Sequence, residues 1–245
     1  AIDCYEQSLP ICQELKDRKR EAYVLNALGV AYGNLGQNEK AIDFSQQSLP
    51  ICQELKDREG EDVALKILGG AYRSLGQYET AINFLQQSLP ICQELKDREG
   101  EALVLNNLGV AYNNLGQYER AINFFQQSLL IYQELKDRKR EADVLGHLGF
   151  AYHKLGQYEK AIDFYEQSLP IKQELKDRKG EADVLNNLGF AYRHLGQYER
   201  AINFYQQSLP IYQELKDRQG EADVLYGLCL AYKSQEQSKK AIEMQ

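Results

Sequence analysis

The feature that most constrains this chain is a segment that recurs every forty residues. The stretch from Asn106 to Ala121 returns with few changes at positions 66–81 and 146–161, and related copies fill the rest of the 245-residue chain. A unit of this length cannot bury its apolar face alone, so it must stack on copies of itself. The sequence therefore predicts an array of about six stacked units without a single closed core.

Each unit carries apolar residues at the spacing of an α-helix. In the third copy Leu105, Leu108, Tyr112 and Leu115 are separated by 3, 4 and 3 residues, which places them on one face of a first helix. Gly116 follows as expected for a left-handed C-terminal cap, and the short turn makes a second helix run back antiparallel. We therefore predict an all-α fold, an α-solenoid of stacked antiparallel helix pairs.

The second helix contains all five prolines of the chain at one repeat position: Pro10, Pro50, Pro90, Pro170 and Pro210. An interior proline removes a backbone hydrogen bond and clashes with the preceding turn, at a cost of about 3 kcal/mol. The apolar spacing nevertheless continues through this position, and Leu130 occupies it in one copy without other adjustment. We predict a kinked but continuous second helix.

Two further positions have clear physical roles. Each unit closes with the same Gln-Glu-Leu-Lys-Asp-Arg segment, in which Asp97 and its equivalents are candidate N-caps for the next first helix. Gly109 and its copies are expected to let the two helices of a unit approach closely, with Ala121 facing the contact. A larger side chain at this glycine is expected to overpack, at about 1–3 kcal/mol.

The repeat divides the chain into one predicted array. Ala1 matches Ala41 inside a second helix, so we expect the chain to begin within a repeat, as part of a longer protein. In the last copy Cys229 and Glu236 replace the two glycines, as is frequent in terminal repeats. The predicted units are a half repeat at 1–20, full repeats at 21–60, 61–100, 101–140, 141–180 and 181–220, and a degenerate partial repeat at 221–245.

Charge and cysteine usage exclude several classes of function. The net charge is −7 with acids and bases interleaved, which argues against a nucleic-acid partner. No apolar run reaches membrane-spanning length and no signal peptide opens the chain. The cysteine position of three copies accepts Tyr132, Lys172 and Tyr212 in later ones, so it is neither a disulfide nor a zinc position. We predict that the protein is cytoplasmic and that its cysteines are reduced thiols. The five cysteines are Cys4, Cys12, Cys52, Cys92 and Cys229.

The repeated residues resemble those of the tetratricopeptide repeat. In the third copy, the residues that stand where that family places its packing residues are Leu108-Gly109, Tyr112, Gly116, Tyr118, Ala121 and Phe125. Three departures are Leu105 for the usual tryptophan, Ser128 for an alanine, and a unit of forty residues instead of thirty-four. The long form is similar to the repeats of spindle-orientation adaptors, kinesin light chains and cyanobacterial repeat proteins. The resemblance implies a right-handed superhelix whose first helices line a concave groove that holds peptides or extended partner segments.

Comparison of the copies separates packing positions from a variable stripe on the first helix. Arg73, His153, Arg193 and Lys233 form a basic row at one end of the stripe, and Asp143, Asp183 and Asp223 form an acidic row at the other. The two rows are about 15 Å apart at the rise of an α-helix. Asparagine amides can pair with an extended peptide backbone. The candidate partner-binding residues are Asn26, Arg73, Asn106, Asn107, Val110, Asn113, His153, Asn186, Asn187, Phe190, Arg193 and His194.

These patterns favour a protein–protein interaction scaffold that binds a peptide or extended segment of a protein partner. The alternative is a structural array that self-associates end to end, since near-identical units allow heterologous stacking. The same polar residues would also be found on a stripe that contacts only solvent and binds no ligand, so this interpretation stays open. The chain lacks the motif of a phosphate loop, a nucleophile elbow or a metal site, so we expect no enzyme activity, no cofactor and no metal at its three histidines.

Overall fold

The computed structural model describes residues 2–243, with side chains to residue 237, and every element in that range is an α-helix. The first helices of the repeats begin forty residues apart and are α2 (Arg18–Asn34), α4 (Arg58–Ser74), α6 (Arg98–Asn114), α8 (Arg138–Lys154), α10 (Arg178–His194) and α12 (Arg218–Glu243). The second helices are α1 (Ile2–Glu14), α3 (Asn38–Leu55), α5 (Tyr78–Leu95), α7 (Tyr118–Leu135), α9 (Tyr158–Glu174) and α11 (Tyr198–Glu214). The predicted all-α array of helix pairs is confirmed.

Two compact units are distinguished, residues 1–131 and residues 132–245. Within each unit a first helix contacts the second helix of its own repeat, as α2 does α3 and α10 does α11. It also contacts the first helix of the next repeat, as α2 does α4 and α10 does α12. Neighbouring first helices therefore form a shared face in each unit.

Aspartate side chains start the first helices, as the repeated linker predicts. Asp97 accepts a hydrogen bond of 2.9 Å from the backbone N–H of Gly100, which satisfies one of the free donors of the first turn. The same cap forms at the other copies, Asp17, Asp57, Asp137, Asp177 and Asp217.

Glycine ends the first helices in the left-handed region. Gly116 has a φ of +73°. Its N–H donates to the Asn113 carbonyl at 3.0 Å, and the Gln117 N–H donates to the Tyr112 carbonyl at 2.9 Å. These two bonds form a Schellman motif, so the predicted cap is confirmed. The equivalent glycines are Gly36, Gly76, Gly156 and Gly196.

The second helices end in a left-handed residue that the sequence did not indicate. Lys96 has a φ of +56°, and the following Asp97 N–H donates to the Cys92 carbonyl at 2.9 Å. The turn thus has Schellman-type bonds around a lysine. The same conformation occurs at Lys16, Lys56, Lys136, Lys176 and Lys216.

The prolines lie inside uninterrupted helices, so the predicted continuity of the second helix is confirmed. Pro90 lies within the 18 residues of α5, and Pro50 lies within the 18 residues of α3. The copy with Leu130 forms a helix of the same length. Leu130 is 67% exposed, so this position faces away from the core.

The core is built from the predicted packing positions. In residues 132–245, Leu185, Leu188, Ala201 and Tyr205 are at most 2% exposed and belong to one apolar cluster. The close approach at the repeated glycine is also present, because a Cβ at Gly109 would lie 2.5 Å from Phe125. The framework therefore rests on the residues that recur in each copy.

Helix α12 differs from the other first helices. It continues for 26 residues from Arg218 to Glu243, and the position of the cap glycine is occupied by Glu236. The absence of glycine there is consistent with a helix that does not turn. Over the part of the chain that the structure describes, all helices are too short or too polar to cross a membrane.

Candidate functional site

A recess on the first-helix face of residues 1–131 lies between α2 and α4. It has a volume of about 660 Å³. Exposed Tyr23 and Val30 contribute apolar surface, and Lys19, Asp57 and Glu59 contribute charge. This α2–α4 recess is lined by Tyr5, Lys19, Tyr23, Asn26, Ala27, Val30, Ala31, Asn34, Asp57, Glu59, Gly60 and Val63.

A second recess lies between α10 and α12 in residues 132–245. It has a volume of about 380 Å³ and is more polar than the first. Three aspartates, one lysine and two asparagines contribute to its wall. This α10–α12 recess is lined by Phe150, Lys179, Asp183, Asn186, Asn187, Tyr212, Asp217, Gln219, Gly220 and Asp223.

The two recesses share eight lining positions of the repeat, and the copies are four repeats apart. A lysine, an asparagine, an aspartate and a glycine are identical in both. They are Lys19, Asn26, Asp57 and Gly60 in the first recess, and Lys179, Asn186, Asp217 and Gly220 in the second. The other four positions differ: Tyr23, Ala27, Glu59 and Val63 correspond to Asp183, Asn187, Gln219 and Asp223. A constant frame therefore carries walls of different chemistry.

The shared asparagine forms part of the floor of each recess. Asn26 is 7% exposed, and its Nδ2 donates to the Gly60 carbonyl at 2.9 Å, which links α2 to α4. Asn186 is 9% exposed. The Oδ1 atoms of both side chains are buried without a hydrogen-bond partner. A buried acceptor of this kind is costly unless a donor reaches it. These two asparagines are therefore not an open ladder on the surface.

The other predicted residues of the first unit lie on α4 and α6. Arg73, Asn106, Asn107, Val110 and Asn113 are all partly exposed. Burial lowers the pKa of Arg73, and its Nε has no hydrogen-bond partner. Asn113 also has an unpaired buried Oδ1. None of these five residues lines the α2–α4 recess, of which Asn26 is the one predicted member.

In the second unit the structure brings two predicted histidines together. The ring centres of His153 and His194 are 5.4 Å apart in an edge-to-face contact, and Tyr158 stacks on His194 at 4.8 Å. Burial, followed by the neighbouring His194, Lys154 and Arg193, lowers the pKa of His153 to about 4. Burial, followed by Arg193, also lowers the pKa of His194, so the histidine pair is neutral near pH 7 and adds an aromatic surface.

Phe190 and Arg193 form a further contact of the predicted stripe. The Arg193 guanidinium lies 6.0 Å from the Phe190 ring centre, and one of its nitrogens is 3.0 Å from His194 Nε2. Phe190 also meets the buried Tyr205 edge to face. Asn187 is partly exposed on the wall of the α10–α12 recess.

Several site residues were missed because their role depends on neighbouring repeats. Lys179 contacts the carboxylate of Asp183 at 3.2 Å and that of Asp217, and its ammonium lies 4.6 Å from the Tyr212 ring centre. The Tyr212 hydroxyl donates to Asp183 at 2.7 Å. The available signal was the forty-residue period, since Asp217, which caps α12, is the equivalent of Asp177, which caps α10 close to Lys179.

One group of side chains has the composition of a metal site. Asp62, Cys92 and Asp97 have ligand atoms within 4.8 Å of one another. The ammonium of Lys66, however, pairs with Asp62 at 2.7 Å and with Asp97 at 3.4 Å. Burial, followed by the nearby Asp62, raises the pKa of the Cys92 thiol to about 12, so the thiolate that a metal requires is disfavoured. The lysine supplies the positive charge at this group.

The fold and the repeated first-helix face define a helical-repeat scaffold. The sequence matches the tetratricopeptide repeat family over residues 1–54, 21–94, 61–134, 100–174 and 180–245. These segments cover nearly the whole chain, so the protein belongs to the tetratricopeptide repeat family. Members of this family are scaffolds for protein–protein interaction, and the long-repeat resemblance is confirmed. A search of curated proteins finds no match.

Several solved structures share this fold. BtubC (BKLC) from P. vanneervenii has a TM-score of 0.74 and 23% identity, over 88% of this chain and 91% of that chain. A putative kinesin light chain from Podosopora anserina has a TM-score of 0.65 and 22% identity, over 79% and 95% of the two chains. A Rap protein complexed with competence and sporulation factor has a TM-score of 0.64 and 19% identity, over 96% and 70%. At these identities the likeness concerns the fold.

Proposed function

We propose that this protein is an interaction scaffold whose first-helix face binds an extended segment of a protein partner. The observation that carries the proposal is the recess repeated at identical positions between α2 and α4 and between α10 and α12. A surface that only met solvent would have no reason to repeat a concavity with a buried, unpaired amide oxygen at its floor.

The composition of the recesses supports side-chain recognition. The constant aspartate caps the next first helix by accepting from the constant glycine, while Tyr23 in one recess and Asp183 in the other change the chemistry of the wall. Ligand sites in proteins combine apolar surface with a few placed polar groups in this way. A structural neighbour, a Rap protein, is complexed with competence and sporulation factor, so a related helical stack does hold another molecule.

A display library of random dodecapeptides tests the proposal. Selection on the 245-residue chain should yield peptides that no longer bind a variant with Tyr23→Ser, Asn107→Ser and Asn187→Ser. These three residues lie on first helices and are not fully buried, so the helical circular dichroism and the melting temperature should remain close to those of the parent.

The matched control changes three exposed asparagines of the second helices, Asn83→Ser, Asn123→Ser and Asn203→Ser. This control should retain the selected peptides. Failure to select any peptide, or equal loss of binding in both triple variants, would contradict the proposal.

A second candidate function is end-to-end self-association. Near-identical units at a forty-residue period allow heterologous stacking of one copy on another. Static light scattering should then show a mass that rises with concentration, whereas a constant monomer mass would exclude the second candidate.

A further inference from the structure

We propose that the α10–α12 recess is a socket for one cationic side chain, arginine or lysine, of the bound partner segment. The proposal rests on the function proposed above and specifies the chemistry of the partner at one site. Three carboxylates, Asp183, Asp217 and Asp223, line this recess together with a single cation, Lys179. The lining therefore has an excess of negative charge that a cationic side chain of a partner would neutralise.

The floor of the recess supplies a further acceptor. Asn186 is 9% exposed, and its Oδ1 is buried without a hydrogen-bond partner. A guanidinium or ammonium group carries several N–H donors and no acceptor, so it complements carboxylates and an amide oxygen together. Phe150, 37% exposed at the edge of the recess, offers apolar surface to the aliphatic stem of such a side chain.

In the preceding repeat, the equivalent pair of aspartates binds an ammonium group of the protein itself. Lys172 is the equivalent of Tyr212, and its ammonium pairs with Asp143 and, at 2.8 Å, with Asp177. The side chain of Lys172 is only 7% exposed. The aspartates Asp183 and Asp217 occupy the same two repeat positions one repeat later. The pair of carboxylates therefore accepts a buried ammonium in this protein.

In the α10–α12 recess the cation that contacts the two aspartates is a surface lysine, Lys179, and not a buried one. Lys179 approaches Asp183 and Asp217 with a side chain that is 51% exposed. An ion pair this exposed contributes little to stability, so a cation from a partner can exchange with it. Lys179 acts as an internal stand-in for the cationic side chain of the partner.

The α2–α4 recess provides an internal comparison. It shares the frame of lysine, asparagine, aspartate and glycine, but Tyr23 and Val63 replace Asp183 and Asp223. Glu59 stands in place of Gln219, so this recess has two carboxylates where the α10–α12 recess has three, and its walls present more apolar surface. We expect the preference for a cation to be confined to the α10–α12 recess.

The test uses acetyl-arginine-methylamide as probe and acetyl-citrulline-methylamide as its uncharged counterpart of the same shape. Both are titrated into the ¹⁵N-labelled chain at millimolar concentration and followed by ¹H–¹⁵N correlation spectra. The arginine probe should shift the side-chain amide of Asn186 and the backbone amides of Asp183 and Asp223. The citrulline probe should leave these signals in place, and equal shifts with both probes would overturn the proposal.

Charge variants locate the effect. Asp183→Asn combined with Asp223→Asn should weaken arginine binding about tenfold or more, because charge-assisted hydrogen bonds are replaced by neutral ones. The control of equal charge is Asp43→Asn with Asp163→Asn, on second helices where other copies already carry Asn83, Asn123 and Asn203. Asp223→Asn alone, at an exposed position, should weaken binding in a chain whose fold is undisturbed. Unchanged binding in these variants would also overturn the proposal.

Removal of the stand-in gives the opposite sign. Lys179→Met should strengthen arginine binding about threefold, since an exposed ion pair of this size competes for the same carboxylates. Lys160→Met, on a second helix, should have no effect, and an unchanged or weaker affinity of Lys179→Met would count against the socket. The small probe needs no selected peptide, so a failed socket with successful peptide selection leaves the proposed function intact. If the arginine probe binds but no peptide is selected from the library, the socket is supported and the proposed binding of an extended partner segment is excluded.

Discussion

Two glycines of α8 illustrate how much the role of a residue depends on which side of a helix it occupies. A Cβ at Gly149 would lie 2.5 Å from Cε1 of the buried Tyr165. A Cβ at Gly146, three residues earlier, would have no neighbour within 4 Å. The first glycine is required by packing against α9, while the second only lowers the helical propensity of α8.

Alanine substitutions at these two glycines should therefore have opposite effects. Gly149→Ala should lower the free energy of unfolding by about 1–3 kcal/mol through overpacking. Gly146→Ala should raise it by about 0.5–1 kcal/mol, because alanine is the better helix former. Urea denaturation of both variants measures the difference. Equal effects would show that packing against Tyr165 does not set the requirement for glycine.

Lysine at the ends of the second helices is a second residue-level feature. Lys96 has a φ of +56°, a region in which a side chain other than glycine is strained by about 1–2 kcal/mol. Gly116 has a φ of +73°, and a Cβ there would have no neighbour within 4 Å. The two positions therefore differ in residue type under a similar backbone demand.

Exchange of residue types at these positions should reveal the backbone strain. Lys96→Gly should stabilise the chain by about 0.5–1 kcal/mol, after allowance for the larger entropy of the unfolded glycine. Gly116→Lys should destabilise it by a similar amount, since the added side chain meets no neighbour but is strained by the left-handed backbone conformation. Thermal unfolding of the two variants reports both signs, and destabilisation by Lys96→Gly would mean that the lysine makes a stabilising contact.

At the level of the helix, the interior prolines are the main departure from ordinary helix chemistry. Pro90 lies within α5, and the copy with Leu130 forms a helix of the same length. Both positions are exposed, so the apolar contacts of the opposite face hold the second helix together despite the lost hydrogen bond.

Replacement of a helix proline should therefore be tolerated and favourable. Pro90→Leu should raise the free energy of unfolding by about 1–3 kcal/mol, because the backbone N–H becomes available and the ring clash is removed. Leu130→Pro should have the reverse effect. A destabilised Pro90→Leu variant, measured in urea, would instead indicate that the packing of α5 on its neighbours needs the local geometry of proline.

A buried serine shows how the second helix is linked to the first. Ser128 is fully buried, and its hydroxyl donates to the Ala102 carbonyl at 2.8 Å. Ser48 and Ser168 make the same bond to Ala22 and Ala142. The serine that departs from the family alanine therefore satisfies its own polar group across the helix pair, in addition to packing.

For the whole molecule, the important property is that contacts remain local along the chain. The described contacts join helices that are adjacent or next but one, such as α2 with α3 and α4. In such an array stability is close to a sum of repeat and nearest-neighbour contributions, so disturbance at one repeat need not reach a distant one.

Hydrogen exchange followed by mass spectrometry tests this locality. Gly189→Ala would place a Cβ 2.6 Å from Tyr205, so amide protection should fall in α10 and α11. Protection in α2 and α4 should remain close to that of the parent, and Gly146→Ala serves as the control without overpacking. A uniform loss of protection along the chain would show that it unfolds as one cooperative body.

Several expectations from the repeat could not extend to the site itself. The copies differ at the stripe, so it was identified as variable, but Asn26 and Asn186 are mostly buried between first helices. Their burial depends on the distance between α2 and α4 and between α10 and α12. That distance cannot be predicted from the helical spacing of apolar residues alone. Lys179 and Asp217 were missed for the same reason, because their contact joins two repeats.

The sequence by itself determined the helix pairs, the caps at Asp97 and Gly116 and the packing positions, since these follow from local backbone preferences and from a period that every copy repeats. Only the tertiary structure decided which side chains meet at the junction of consecutive first helices. There, Lys179 pairs with Asp217 at the start of the next first helix, and Asn186 is buried with an unpaired oxygen. These contacts and this burial depend on the distance between helices, which is determined by side-chain packing and not by the sequence of one helix alone.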